Sequence, residues 1–168
     1  MNKQQIKQLD LYLAGHKGLL SKSEEERYID LVVEGYGSPE LEDGEDEEPI
    51  PLELLRLNKK LQLLVRDSST EVNAFTIAGQ ELWIPKFDRA NFRCAIDSMR
   101  AGGKETVELN GIQLPIEMAS AALTAIESYA AECDTQTKHH ATAIMALQSA
   151  EDIERYDITV GYPEKLTF

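Results

Sequence analysis

The residue types best suited to chemistry gather near the end of the sequence, where Cys133 and Asp134 precede His139 and His140. A thiolate and an imidazole can form a nucleophilic pair or share a metal ion, but only when their reactive atoms converge. Cys133 and His140 fall on one stripe of a predicted helix, two turns apart, so about 10 Å of helix axis separates them. This separation excludes a shared ion and a thiol–imidazole pair. Two alternatives remain: an axial ion held by three copies of His140, or a packed Cys133 with a buried His140 and a solvated His139.

Other chemical motifs are not found in the sequence. Gly102, Gly103 and Lys104 resemble part of a phosphate-binding loop, but their spacing is not that of Gly-x-x-x-x-Gly-Lys-Ser/Thr and no helix follows them. There is no Gly-x-Ser-x-Gly elbow and no His-Glu-x-x-His pair. The acidic run at 40–48 lacks the residue order of a calcium-binding loop. We therefore predict no catalytic residue, no cofactor and no metal site.

The net charge of the chain indicates which classes of partner it does not bind. Its 168 residues include 17 Lys and Arg against 30 Asp and Glu, a formal net charge of −13. Because no basic excess is available to displace counterions from phosphate, we expect no nucleic acid partner and no anionic membrane surface. No apolar run approaches the roughly 20 residues of a membrane span. The N-terminus is polar and has no signal core, so we expect folding in a cytosol.

The first part of the sequence predicts a helical segment over 1–37 and an acidic linker over 38–51. Within the helical segment, Ser23 and Glu26 have the spacing of a capping box at the start of a helix. The linker combines like charges, which repel, with three prolines, which remove backbone donors. We expect it to be exposed.

An amphipathic helix is predicted over 52–71. Its leucines, preceded by Ile50, alternate at spacings of four and three, which is the pattern of a heptad seam; they are Leu54, Leu57, Leu61 and Leu64. The run covers about two heptads, fewer than the three or four that identify a coiled coil. Two interpretations stay open: a helix docked on its own domain, or a neck that joins identical chains, including a trimer.

Residues 72–168 predict an α+β domain in which two β-hairpins alternate with helices in the order ββαββα. Strand-like alternation flanks Ala78-Gly79 and again Asn110-Gly111, a dipeptide that suits a tight hairpin turn. The second predicted helix is long, about 117–148. One stripe along it repeats at spacings of four and three; its members are Ala119, Leu123, Ile126, Ala130, Cys133, Thr137, His140, Ile144 and Leu147. Trp83 points away from its neighbours in the first hairpin, so it either covers the second face of the sheet or contacts a partner.

A series of local features in this domain carries a family resemblance. They are Asn73-Ala74-Phe75, Gly79, Trp83, Asp88-Arg89, the run from Ile126 to Cys133, His140, Tyr156-Asp157 and the stretch from Gly161 to Leu166. In their order, residues 72–168 resemble a domain family of unknown function found at the C-terminal ends of phage and prophage tail-region proteins. The resemblance covers a little over half of the chain and leaves the N-terminal third unmatched.

The resemblance implies a phage virion structural protein, associated with the tail or tail fibre and active in attachment or assembly, with no catalysis. It implies a chain made in the host cytoplasm and located in the virion tail, in contact with copies of itself and with other phage tail proteins. Leu54, Leu57, Leu61, Leu64 and Trp83 are the predicted contact residues. The alternative is a non-virion phage protein: an assembly chaperone, or an acidic inhibitor whose 40–48 run occupies the basic groove of a host nucleic-acid enzyme.

Overall fold

The computed structural model describes residues 21–33, 50–109 and 111–168, and it confirms the predicted α+β class. The helices are α1 (Lys22–Val33), α2 (Leu52–Ser68), α3 (Lys86–Ala101), α4 (Ile116–Ala146) and α5 (Ala150–Arg155). The strands are β1 (Phe75–Ile77), β2 (Gln80–Leu82), β3 (Thr106–Leu109) and β4 (Ile112–Pro115). Each hairpin precedes a helix, as predicted. Most of the predicted acidic linker, 38–49, lies outside the described residues.

Contacts divide the chain into two compact units. The hairpin unit comprises Thr70–Thr135 and Gly161–Phe168. The helical unit comprises Gln136–Val160 together with the described residues up to Ser69. The sequence placed 72–168 in one domain, whereas the contacts group 136–160 with the helices that precede residue 70. The long helix α4 belongs to both units because it passes from one to the other between residues 135 and 136.

The two hairpins are separate antiparallel sheets with two-residue connections. Phe75 pairs with Leu82 in the first, and Leu109 pairs with Ile112 in the second. Ala78 and Gly79 have φ values of 49° and 78°, the left-handed pair that a type I′ turn requires. Gly111 has a φ of 81°, as its predicted turn position demands, while Asn110 lies outside the described residues.

A parallel β-bridge, not expected from the sequence, lies beside the first hairpin. Thr167 pairs in parallel with Thr76, the middle residue of β1. The Thr76 amide donates to the Leu166 carbonyl at 2.9 Å, and the Phe168 amide donates to the Thr76 carbonyl at 2.8 Å. No period-two pattern marks this segment in the sequence, because an extended segment this short has too few residues to alternate.

The core of the hairpin unit lies among the two hairpins, α3 and the first part of α4. Its buried members are Phe75, Ile77, Ile84, Ile96, Val107, Leu109, Leu114, Ile116, Ala119, Leu123 and Ile126. The predicted stripe of the long helix is buried at seven positions, including Cys133 and His140. Ala130 and Leu147 on the same stripe are half-buried.

Helix α1 begins with a capping box shifted by two residues from its predicted place. Ser21, not Ser23, caps α1: its hydroxyl accepts from the Glu24 amide at 3.3 Å, and the Glu24 carboxylate accepts from the Ser21 amide at 2.8 Å. The sequence contains the same Ser-x-x-Glu spacing at Ser21 and at Ser23. One oxygen of the Glu24 carboxylate closes this box, and the other binds Lys60 of α2.

Candidate functional site: a leucine seam and an aromatic cluster

The predicted leucine seam of α2 is largely covered within one copy of the chain. Leu54, Leu57 and Leu64 are each 1% exposed, whereas Leu61 is half-buried and Ile50 is exposed. Burial of this kind is what a helix docked on its own unit requires. A second copy is therefore not needed to shield these three side chains from water.

A partly buried ion pair joins α1 to α2 beside the leucine seam. Lys60 is 4% exposed and donates to the Glu24 carboxylate at 2.8 Å. Burial pushes the pKa of Glu24 up, but hydrogen bonds from Lys60 and Ser21 outweigh it and hold the pKa below its ordinary value. A buried ammonium is stable only with such a partner, so the pair fixes one register between the two helices.

Two further contacts repeat the antiparallel register of α1 on α2. Arg27 donates to Glu53 at 3.1 Å, and the Tyr28 hydroxyl donates to the Asn58 side-chain carbonyl at 2.9 Å. Arg27 and Tyr28 lie later in α1 than Glu24 and contact residues earlier in α2 than Lys60, which is the order of antiparallel helices. These contacts are more exposed than the Lys60 pair and add alignment more than stability.

Basic side chains of α2 also satisfy the carbonyl ends of two other helices. The Arg56 Nε donates to the Leu147 carbonyl at 2.8 Å, just beyond the end of α4, and the Arg56 Nη2 donates to the same oxygen. Lys59 donates to the Glu154 carbonyl near the end of α5 at 2.9 Å. Cations at helix C-termini meet both unpaired carbonyls and the negative end of the helix dipole.

His140 is a packing residue that anchors the segment after α5. It is 2% exposed, and its Nε2 donates to the Val160 carbonyl at 2.9 Å. Because a carbonyl only accepts, Nε2 carries a proton, and Nδ1 lies 2.8 Å from the Tyr156 hydroxyl. The two rings meet edge to face, with centroids 5.6 Å apart. His139 is exposed, as predicted.

Trp83, the remaining predicted contact residue, belongs to an aromatic cluster of the hairpin unit. It is half-buried and meets the Tyr129 ring edge to face at 6.3 Å between centroids. The Arg89 guanidinium lies 5.5 Å from the centre of the indole and donates to the Ile84 carbonyl at 2.7 Å. A guanidinium in this position is attracted to the electron-rich face of the indole. Trp83 therefore packs within its own unit while part of its surface faces water.

Tyr129 links this cluster to the start of the unit. Its hydroxyl donates to the Val72 carbonyl at 2.7 Å, and burial, with the neighbouring Cys133 thiol, raises the pKa of Tyr129. Val72, Tyr129 and Cys133 form one buried cluster, against which Trp83, Tyr162 and Leu166 pack. Sequence patterns did not reveal this group because its members come from four distant stretches of the chain.

The described part of the chain offers no metal centre. No group of three or more His, Cys, Asp or Glu side chains among these residues could hold an ion. Cys133 is a buried free thiol, and Cys94 is an exposed one on α3. None of the described helices is long and apolar enough to cross a membrane.

No protein-family model, curated protein or solved structure matches this chain.

Proposed function

We propose that this chain is a phage virion structural protein of the tail or tail fibre, which acts in attachment or assembly without catalysis. The observation that carries the proposal is the place of the residues behind the phage tail-region resemblance. Most of those residues lie in the hairpin unit and contribute to its packing and backbone pairing, whereas His140 and Tyr156 contact each other in the helical unit. A structural module needs such residues for its own shape, whereas an enzyme needs several of them to converge on substrate.

The contacts of these residues support a structural role one by one. Phe75 is buried in the main core, and Trp83 and Tyr129 form the aromatic cluster. Leu166 accepts a backbone bond from Thr76 and packs against both buried clusters. Cys133 is buried beneath Tyr129 and Val72, in the surroundings of an inert thiol rather than a reactive one.

The surface available to neighbours in such an assembly includes several large apolar side chains outside the leucine seam. The exposed examples are Ile29, Ile50, Val65, Phe87, Met99, Met118, Met145 and Val160, of which Phe87 is 76% exposed. Trp83 keeps part of its surface in water and stays in the proposed set of contact residues. Neighbours are proposed to be further copies of this chain and other tail proteins.

Deletion of the coding sequence tests the proposal. Cells that produce particles without this chain should release heads with absent, shortened or fibreless tails, visible by negative-stain electron microscopy. Supplying the chain in trans should restore the tails. A matched Lys104→Ala variant, changed at an exposed loop position, should restore them equally. Morphologically normal and infectious particles in the absence of the chain would overturn the proposal.

A further inference from the structure

The hairpin unit is completed by residues that reach it from outside its continuous sequence. Its main part is Thr70–Thr135, and its last part is Gly161–Phe168, here called the C-terminal arm. Between them, residues 136–160 belong to the helical unit. The arm is therefore a separate piece of chain that docks on an otherwise continuous unit.

The docked arm makes three kinds of contact. Its backbone exchanges two hydrogen bonds with Thr76, and its Phe168 carbonyl accepts from the Ala78 amide at 3.4 Å. Leu166 and Phe168 pack against the main core, where Phe168 meets Phe75 edge to face at 6.1 Å between centroids. Lys165 pairs with Glu81 of β2 at 3.5 Å. The slot beside β1 thus accepts a parallel extended strand with apolar residues at its first and third positions.

The arm can leave this slot without unfolding a helix or breaking a hairpin. Residues 156–166 contain no helix or strand of their own. Val160 is held by His140 and by the Gln136 amide, which donates to its carbonyl at 3.2 Å. Gly161 follows with a φ of 79°, where a glycine turns freely. The anchored Val160 and the permissive Gly161 thus mark a candidate hinge at the start of the arm.

We propose that the C-terminal arm exchanges between copies, so that the arm of one chain adds as a strand to β1 of a second copy. The second copy is the occupant whose fit is already demonstrated, because it presents the same slot and the same arm. In an isolated chain the tether favours its own arm by an effective concentration of about 1 mM. In an assembly, neighbouring slots reach a similar local concentration, so exchanged arms link the copies. The occurrence of this exchange in a tail assembly rests on the proposed function, whereas the exchange itself does not.

The Lys165–Glu81 pair allows the exchange to be measured on the unmodified chain. Equal amounts of ¹⁴N- and ¹⁵N-labelled protein are incubated at about 1 mM and treated with a carbodiimide, which joins an amine to a carboxylate in contact. After tryptic digestion, the two linked peptides carry either one label or both. Exchange predicts mixed labels in a fraction that rises with concentration towards half of all Lys165–Glu81 links. Links that carry a single label at every concentration would overturn the proposal, and so would the absence of any link.

Two variants make the result specific. Lys165→Arg keeps the charge but removes the reactive amine, so it should abolish the link while the fold is kept. Gly161→Ala places a side chain at a positive φ in the closed arm, a conformation that an L-residue disfavours. At low protein concentration, where the parent's mixed-label fraction lies far below its ceiling of one half, this variant should raise that fraction several-fold. An unchanged or lower fraction would contradict a hinge at this residue. Because purified protein suffices, a negative result here leaves the deletion experiment on particles unaffected, and the reverse also holds.

Discussion

Tyr129 and Val72, 57 positions apart in the sequence, are joined by a 2.7 Å hydrogen bond from the phenolic hydroxyl to the backbone carbonyl. Both residues are buried, and the bond ties the segment that enters β1 to the middle of the longest helix. A carbonyl in this position has no access to bulk water. Its only adequate compensation is a donor supplied by the fold.

Tyr129→Phe should therefore lower the free energy of unfolding by about 0.5–1.5 kcal/mol, because the buried Val72 carbonyl loses the Tyr129 hydroxyl and keeps only the Ala74 amide, at 3.2 Å, as a donor. Denaturant unfolding followed by circular dichroism measures the change. Tyr28→Phe is the matched control, since it removes a hydroxyl bond that is only partly buried. The control should cost less. Equal losses for both variants would show that the buried bond has no special weight.

In the turn of the first hairpin, Ala78 has a backbone conformation that favours glycine. Within the described residues, Ala78 is the single non-glycine with a positive φ. Ala78→Gly should raise the free energy of unfolding by about 0.5–1 kcal/mol, since glycine adopts this region without steric cost. Gly79→Ala should have the opposite effect through its backbone alone, because a Cβ there would meet no atom within 4 Å. A destabilised Ala78→Gly variant would contradict the assigned turn.

The ion pair between Glu24 and Lys60 makes part of the stability depend on pH. The folded-state pKa of Glu24 lies below its ordinary value of 4.5, so its contribution is present above that value and is lost as the pH falls through the folded pKa. Glu24→Gln should thus be less stable than the parent chain at pH 7, and the difference should shrink at pH 3. Glu26→Gln, at an exposed position on the same helix, should show almost no difference at either pH. If the stability difference between Glu24→Gln and the parent chain grew as the pH fell, the Glu24–Lys60 ion pair would be contradicted.

Substitutions in α2 test whether its leucines pack within one copy of the chain or join two copies. The double variant Leu57→Glu, Leu61→Glu should lower the free energy of unfolding of the monomer by about 2–5 kcal/mol or more. Leu57 is covered within one copy, and removing a buried leucine side chain alone has a cost of that size. Val65→Glu, at an exposed position of the same helix, should be nearly neutral. Sedimentation and circular dichroism separate the alternatives. An oligomer that becomes a stable, folded monomer would show that the seam joins copies instead.

Local sequence signals were sufficient to predict the helices and hairpins, but not the contacts between them. The turn at Ala78-Gly79, the hairpin that contains Gly111 and the stripe from Ala119 to Ile144 each depend on residues close in sequence, and each was predicted. The Arg56–Leu147 and Thr76–Thr167 contacts join residues about 90 positions apart. No periodicity encodes such pairs, because any basic residue or extended segment is locally compatible with many partners.

The candidate site shows the same division. The sequence identified Leu54, Leu57 and Leu64 as an apolar face and Trp83 as a distinctive side chain, but it left open what covers them. Burial of the leucines within one copy and the packing of Trp83 on Tyr129 and Arg89 were not encoded in spacing. The capping box was displaced because Ser21 and Ser23 both satisfy the motif, and the fold selects the one that leaves Glu24 beside Lys60.

Quantitative mass spectrometry of purified, intact particles tests the proposed virion role most directly. Particles are separated on a density gradient and treated with protease to remove adsorbed protein, and this chain is counted against an isotope-labelled standard. The proposed role predicts a fixed copy number per particle, in a multiple of three or six, that co-migrates with the tails. A chain abundant in the producing cells but present at less than one copy per particle would contradict it.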